Sequence, residues 1–459
     1  MTSVETLVPP SISAKAEKRK RLSIAFGSRF FLLIVIGLIW LGAAFHDPRF
    51  YYALAAWDLL AVVLWGLDLA VIPRASLLRV TRRWSDPAAL SVRSNLELIL
   101  ENASRLPILA EITDNVPPQL RKEAPMLALK CAAGGEASAR YEIVPQQRGD
   151  IQIGAVYLRY TSPMRIAERW AIAHVEQKVC VYPNLEEARQ HSVYLIRSRQ
   201  IEMEKRHTRI RGAGRDFESL REYREGDEIR DVCWTASARR GKLVTRVYQI
   251  ERSQTIWLVI DSGRLLRARI GGLTKLDLAI NAALSLAEVA LGTGDRVGLL
   301  AYARNVQKRV LPYRGGAHLR MLIQQLAQIR GEASEGDHLH AVSALLSTQK
   351  RRSLVVWLTD FPETAMTPEV IDAASEAALR HLVLFVVIGQ PDLAELAASR
   401  PDSIRDMYRT TAAQETLHRR EVLLGKLRQR GALALEVNSA AASVMLVNSY
   451  LNVKQRNLL

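Results

Sequence analysis

Two long apolar runs stand near the start of the chain. Residues 30–45 carry no charge, and residues 50–72 are mostly apolar over 23 positions, a helical length of about 34 Å at 1.5 Å per residue. His46, Asp47, Pro48 and Arg49 separate them, so the pattern predicts a hairpin of two N-terminal transmembrane helices. The first is short for a crossing, but Arg29 can snorkel and Phe30, Phe31, Trp40 and Phe45 suit the interfaces. From residue 90 to 182 the apolar runs shorten and alternate, at 96–100, 141–144, 151–160 and 179–182, which is the period of half-buried strands. Breaks at Val116-Pro117-Pro118, Gly134-Gly135 and Arg148-Gly149-Asp150 have turn spacing, and together they predict a small antiparallel β-sandwich-like domain. Residues 185–211 read as a polar helix bridging two domains. Beyond residue 251, strand-like runs at 255–260, 296–302, 353–358 and 382–388 alternate with helical spacing at 275–291, 317–329 and 368–379. Such alternation predicts an α/β, Rossmann-like, doubly wound sheet. Residues 404–430 are expected as a solvated surface helix, and 433–437 and 440–453 as a closing strand and helix. The expected organisation is a basic cytoplasmic segment 1–29, the hairpin 30–72, the sandwich 88–183, a helical linker and motif region 184–252, and the α/β domain 253–459.

Charge gives the hairpin a direction. Lys15, Lys18, Arg19, Lys20, Arg21 and Arg29 precede it and Arg74, Arg79, Arg82 and Arg83 follow it, whereas the central turn holds only His46 and Arg49. The positive-inside rule then puts both ends, and the soluble domains, in the cytoplasm of an inner-membrane protein. A cleaved secretory peptide would explain the first run, yet the second run and its basic flank would still stop transfer. Asp68 is expected near headgroup water, and Asp58, the one deep acid, to find a partner on the neighbouring helix or a second chain. The three cysteines, Cys131, Cys180 and Cys233, are far apart and odd in number, which suits reduced thiols and excludes a disulfide framework. The net charge of +16 favours anionic partners, membrane lipid among them.

The densest polar motif runs from Gly212 to Arg239, with Arg215, Phe217, Arg221, Tyr223, Gly226, Asp227, Arg230 and Trp234 as its candidate partner-binding or interdomain residues. Between Lys205 and Arg246 stand twelve Lys or Arg against seven Asp or Glu. A nucleic-acid groove would show fewer acids and unflanked aromatics, so no nucleic acid is expected here. The arginines offer planar forks that could pair inside the motif or with a partner. Trp234, beside Val232 and Cys233, is expected as a core anchor. No phosphate loop or dinucleotide fingerprint occurs.

In the α/β half, Asp261 ends the first strand, Thr274-Lys275-Leu276-Asp277 opens a helix, and Thr359-Asp360 ends a later strand. This order resembles a von Willebrand factor A domain. With Gly-x-Gly-Arg-Asp-Phe at 212–217 and Arg-Glu-Tyr-Arg-Glu-Gly-Asp-x-x-Arg-x-x-x-Trp at 221–234, residues 90–388 resemble the bacterial domain-of-unknown-function family 58 (DUF58), whose usual layout includes two N-terminal membrane helices. The resemblance implies a partner, a MoxR-type AAA+ ATPase for which such proteins act as adaptors, and no enzymatic activity. In metal-binding A domains an Asp-x-Ser-x-Ser loop, a distant Thr and a distant Asp supply oxygens to Mg²⁺. Here the loop reads Asp261-Ser262-Gly263-Arg264-Leu265, so Gly263 and Leu265 lack the two hydroxyls and only Asp261, Thr274 and Asp360 remain. Those three would hold Mg²⁺ weakly at best; the expectation is no cofactor, with Asp261 paired to Arg264 or capping a helix. The expected function is a membrane-anchored adaptor. The alternatives are a metal-dependent hydrolase at the Asp261/Asp360 end, for which no nucleophile and base stand at suitable spacing, or a basic nucleic-acid-binding protein.

Overall fold

The computed structural model describes residues 7–19, 23–45, 47–184, 216–224, 229–249, 254–361, 368–456 and 458. The helical linker expected over 185–211 lies outside them. The chain forms two compact units, Met1–Leu185 with Ile323–Arg330, and Glu186–Leu322 with Gly331–Leu459.

The first unit contains strands β1 (Ile12–Lys18), β2 (Ile24–Phe26), β3 (Leu78–Trp84), β4 (Ser94–Asn102), β5 (Ile108–Asp114), β6 (Met126–Cys131), β7 (Glu136–Ile143), β8 (Gly149–Ile153), β9 (Val156–Thr161), β10 (Ala167–Ala173) and β11 (Gln177–Val181). Strand β1 pairs antiparallel with both β3 and β10, joining β7-β4-β3 to β10-β9-β5-β6, while β2 pairs with β10 and β8 with β11. Side chains from both halves, such as Leu96, Leu98 and Tyr141 on one and Ile112, Leu158 and Ala171 on the other, enter one core. Residues 12–18 and 24–26, within the basic segment expected over 1–29, are therefore sheet strands of this unit. Ile12, Ala14 and Ala16 alternate with the polar Ser13, Lys15 and Glu17, and Ala16 is buried in the core; the period of two was masked by the density of lysines.

Helices α1 (Ser28–Ala44) and α2 (Phe50–Val71) form the hairpin. Among the described residues one helix, Phe50–Leu77, is long and apolar enough to cross a membrane, with 17% of it buried; Ser28–Ala44 is shorter. Two crossing helices are thus reduced to one that meets the length requirement. The helices meet where Gly37 faces Trp57, since a Cβ on Gly37 would lie 2.6 Å from Trp57 Cδ1. Trp57 Nε1 also donates to the Leu33 carbonyl at 2.9 Å. Asp68 does not reach headgroup water as expected. It is buried, and its carboxylate accepts from the Ser162 hydroxyl at 2.5 Å and from the Ile166 and Ala167 N–H groups at 3.1 and 2.8 Å. These three bonds fasten the end of α2 to the turn before β10.

The second unit begins with β12 (Asp216–Glu222), the short α3 (Trp234–Arg240) and β13 (Val244–Gln249), with β12 and β13 antiparallel. Its sheet consists of β14 (Thr255–Asp261), β17 (Arg296–Tyr302), β18 (Val306–Tyr313), β19 (Leu354–Thr359), β20 (Leu382–Gly389) and β21 (Leu433–Asn438); β15 (Arg269–Ile270) and β16 (Leu273–Thr274) form a small ribbon. The order is β18-β17-β14-β19-β20-β21, parallel except for the β18 edge. Helices α4 (Lys275–Gly292), α5 (Gly316–Ala327), α6 (His338–Thr348), α7 (Pro368–Ala378), α8 (Pro391–Ala398), α9 (Ile404–Gln429) and α10 (Ala442–Gln455) complete the α/β layout. Because side chains alternate across a strand, Trp257, Trp357 and Phe385 pack against residues of α6, α7 and α9, while α4 lies on the opposite face and packs against α10. Strands buried on both faces carry near-continuous apolar runs, as β14, β19 and β20 do. Helix α9 is not the fully solvated helix expected, since Ala413, Leu423, Leu424 and Leu427 enter the core and Arg420 is buried with them.

Candidate functional site

Ligands in doubly wound sheets gather outside the carboxyl ends of the strands, here the ends of β14 and β19. Asp261 closes β14 and is 3% exposed. Its Oδ1 accepts from the Gly263 N–H at 2.8 Å and its Oδ2 from the Thr359 hydroxyl at 2.8 Å. Burial raises its pKa above the ordinary carboxylate range, and the neighbouring Asp360 adds to the rise, while His338 and the two hydrogen bonds oppose it. Asp360, 4% exposed, is held by two cations: Lys275 Nζ lies 2.5 Å from Oδ2 and Arg420 Nη2 3.4 Å from Oδ1. Arg420 also pairs with Glu436 at 3.0 Å.

Thr274 serves a different purpose. It caps α4 with a reciprocal box, its hydroxyl accepting from the Asp277 N–H at 3.1 Å while the Asp277 carboxylate accepts from the Thr274 N–H at 3.0 Å. The box fixes the first turn of α4 and with it the backbone of Lys275, whose N–H donates to the Ala268 carbonyl at 2.8 Å. Arg264 does not pair with Asp261 as expected; it reaches Glu335 at 2.6 Å on the surface. The Asp261 carboxylate instead accepts from the Gly263 N–H and the Thr359 hydroxyl.

These residues do not fit a six-oxygen Mg²⁺ site. Asp360 is already neutralised by Lys275 and Arg420, and the Thr274 hydroxyl is committed to Asp277. The loop also leaves no room for a side chain at Gly263, one of the two positions that lack a hydroxyl. A Cβ at Gly263 would lie 3.0 Å from Asp261 Oδ1 and 2.9 Å from Gly336 N, and one at Gly336 would lie 2.8 Å from Asp261 Oδ1. Among the described residues no group of three or more His, Cys, Asp or Glu is arranged to hold a metal ion.

Beside Asp261 lies a cavity of about 50 Å³ lined by Leu265, Glu335, His338, Glu369 and Val370, well below the roughly 300–1,000 Å³ of small-molecule sites. Tyr302 OH lies 2.7 Å from His338 Nδ1 and accepts from Trp357 Nε1 at 2.7 Å. Burial holds the His338 pKa below its ordinary value, with Asp261 the first opposing influence. Ser262, the hydroxyl next to Asp261, is buried and donates to the Tyr302 carbonyl at 2.8 Å.

Residues 219–420 match the family model described as Protein of unknown function DUF58. The match to DUF58 covers less than half of the chain. Among curated relatives, Uncharacterized protein Rv1480 of Mycobacterium tuberculosis is 29% identical over 191 residues, 41% of this chain and 59% of its own length. Uncharacterized protein YeaD of Bacillus subtilis is 22% identical over 204 residues, 42% of this chain and 46% of its own length. The chain therefore spans about half the length of the curated relatives it matches. Similar solved structures include a von Willebrand factor type A protein from Catenulispora acidiphila (11% identity, TM-score 0.28, 45% of this chain and 43% of that one). Another is the conserved hypothetical protein BatB from Bacteroides thetaiotaomicron (13% identity, TM-score 0.30, 44% of this chain and all of that one).

The matched segment contains most of the upstream motif as well as the strand-end residues. Arg221 is partly buried in β12, and the Tyr223 N–H donates to the Leu243 carbonyl at 2.9 Å. Phe217 pairs through its backbone with Tyr248, and Arg230 lies in the 3-10 turn Ile229–Asp231. Arg215, Gly226 and Asp227 fall outside the described residues. Trp234 corrects the expectation of a core anchor: it is 64% exposed, whereas Val232 and Cys233 beside it are buried. At the first position of α3 its side chain leaves the sheet face that its neighbours enter. Sequence reasoning missed Lys275, Arg420 and His338. Lys275 did carry a signal, because a lysine in the first turn opposes the helix dipole unless a carboxylate compensates it.

Proposed function

We propose that the chain is a membrane-anchored, cytoplasm-facing scaffold that binds protein partners through its A-like domain, works with a MoxR-type AAA+ ATPase and performs no chemistry itself. The observation that carries this reading is the state of the strand-end acids: Asp360 is held by Lys275 and Arg420, Asp261 by Gly263 and Thr359, and the cavity beside them is small. A site closed by its own side chains suits presentation of a surface better than turnover of a substrate. The anchor is supported by the apolar, largely exposed α2 and by the three bonds that tie Asp68 to the β-domain. The ATPase follows from the resemblance of the 212–234 motif. Ile229 and Trp234 within that motif, and Leu243 just after it, expose 72%, 64% and 49% of their surface, the kind of apolar and aromatic surface that anchors interfaces.

The test is recovery of the tagged full chain from its own membranes with and without ATP. An AAA+ ATPase is expected among the bound proteins, and Trp234→Ala should reduce its recovery without changing the melting temperature. Unchanged recovery in Trp234→Ala removes that surface from the contact; protease cleavage of the carboxyl-terminal half from outside intact cells refutes the orientation, and substrate turnover by the purified chain refutes the scaffold.

A further inference from the structure

The A-like site of this chain lacks hydroxyls at Gly263 and Leu265 and holds a buried lysine, and the two features belong together. Asp261 and Asp360 are 3% and 4% exposed at the ends of the adjacent strands β14 and β19. Two buried carboxylates at one strand end require a counter-charge. We infer that Lys275, with Arg420 behind it, is the resident cation of this site, and that the strand-end surface keeps its shape without a divalent metal. This rests on the A-like reading of the domain and extends the scaffold proposal: partner binding at this end would be independent of Mg²⁺.

Three observations converge on the lysine. Its side chain is 2% exposed and its ammonium is 2.5 Å from Asp360 Oδ2, so the charge is committed to that carboxylate. It occupies the first turn of α4, where a cation opposes the helix dipole and is retained only against a compensating charge, and the Thr274 and Asp277 capping box holds that turn in place. The loop has meanwhile closed over Asp261. Gly263 and Gly336 approach its carboxylate so closely that a Cβ on either would stand within 3.0 Å of Oδ1, so no serine ligand fits at position 263.

The test is thermal unfolding of the full chain in detergent, in a chelator and in millimolar Mg²⁺ or Mn²⁺. Wild type is expected to melt at the same temperature in all three. Lys275→Met, which leaves Asp360 facing Arg420 alone, should melt about 10 °C lower or fail to fold. Lys275→Met/Asp360→Leu, which removes both charges, should fold and recover most of that loss. A cation-dependent rise in wild type that vanishes in Asp261→Ala overturns the inference, because a metal would then share the site with the lysine. A double variant as impaired as Lys275→Met also overturns it, because the lysine would be acting through packing and not charge. Neither outcome depends on a partner, so failure to recover an ATPase would sink the scaffold reading and leave this result standing.

Discussion

Among the described residues each unit buries an ion pair around one aspartate, Asp114 with Arg82 and Asp360 with Lys275, and the two are built differently. In the β-domain, Arg82 and Asp114 have fully buried side chains. Arg82 donates from Nε to Asp114 Oδ2 at 3.1 Å, from Nη2 to Asp114 Oδ1 and to the Gly154 carbonyl at 2.9 Å, and from Nη1 to the Val175 carbonyl at 2.5 Å. Asp114 further accepts from Tyr141 OH at 2.7 Å, and burial pushes the Tyr141 hydroxyl well above its ordinary pKa. In the α/β domain, the Lys275 ammonium has a single acceptor among the described residues. The planar fork ties β3 to β5 and to two loops at once, which is the work of a brace. The point charge ends on one carboxylate at the place where this fold meets its ligands. Desolvation is offset in the first pair by the guanidinium fork and the backbone carbonyls it reaches, and in the second by two cations and the Phe361 N–H, which donates to Asp360 Oδ1 at 2.9 Å.

The largest expected effect lies in the brace. Arg82→Met leaves Asp114 buried with one remaining side-chain donor and should cost at least about 3–5 kcal/mol, read as a fall in the denaturant midpoint of the full chain. Arg82→Lys should recover little, since an ammonium cannot fork. A mild Arg82→Met phenotype would mean that water enters the β-domain core and that the two pairs do not differ in kind.

The strand-end pair should respond less to loss of its acid. Asp360→Asn leaves Arg420 with Glu436 as partner and strands only the lysine, so its cost should fall below that of Asp114→Asn, with both near the lower end of the 3–5 kcal/mol range for a broken buried pair. Equal costs in the two variants would remove the distinction between brace and resident charge.

Neither pair could be read from the sequence, although the folds around them largely could. The α/β strands were legible because β14, β19 and β20 are buried on both faces and read as unbroken apolar runs. Strand β18 was not, because it is an edge strand whose Gln307, Lys308 and Arg309 interrupt the run. In the β-domain, Ile151 to Tyr160 read as one strand, but the chain breaks there into β8 and β9 at Gly154. Asp261 and Asp360 were found by topology, since the ends of parallel strands are marked by where the apolar runs stop. Arg82 was read as a membrane flank and Arg420 as solvated surface, because a buried arginine looks like any other until its distant partner is known: Asp114 lies 32 residues from the first and Asp360 lies 60 residues from the second.

A smaller, pH-dependent effect separates the strand end from the brace. Burial depresses the His338 pKa below its ordinary 6.5, so the unfolded chain takes up a proton that the folded chain refuses, and stability falls as pH drops below about 6.5. Asp261 works in the opposite sense. Its raised pKa makes the folded state the better proton acceptor, so its contribution is present at low pH and lost as pH rises through the raised value. His338→Gln should therefore flatten the decline in denaturant midpoint between pH 7 and 5.5. Some slope should persist, because burial also depresses His381, which the substitution does not touch. An unchanged profile would mean that His338 is protonated in the folded chain and pairs with the acids beside it.

The smallest effect is expected at the rim of the same site. Arg264 and Glu335 approach to 2.6 Å with side chains 50% and 72% exposed, and exposed pairs of this kind contribute about 0.5 kcal/mol or less. Arg264→Ala should leave the denaturant midpoint almost unchanged, and raised salt should erase what difference there is. The comparison with Lys275 is then between two cations at one strand end, one buried and committed to a carboxylate, the other solvated and replaceable. A loss in Arg264→Ala as large as that in Asp360→Asn would mean that Arg264 leaves Glu335 and compensates Asp261 in solution, as its place in the Asp261-Ser262-Gly263-Arg264-Leu265 loop first suggested, and the charge of the site would have to be divided between both cations.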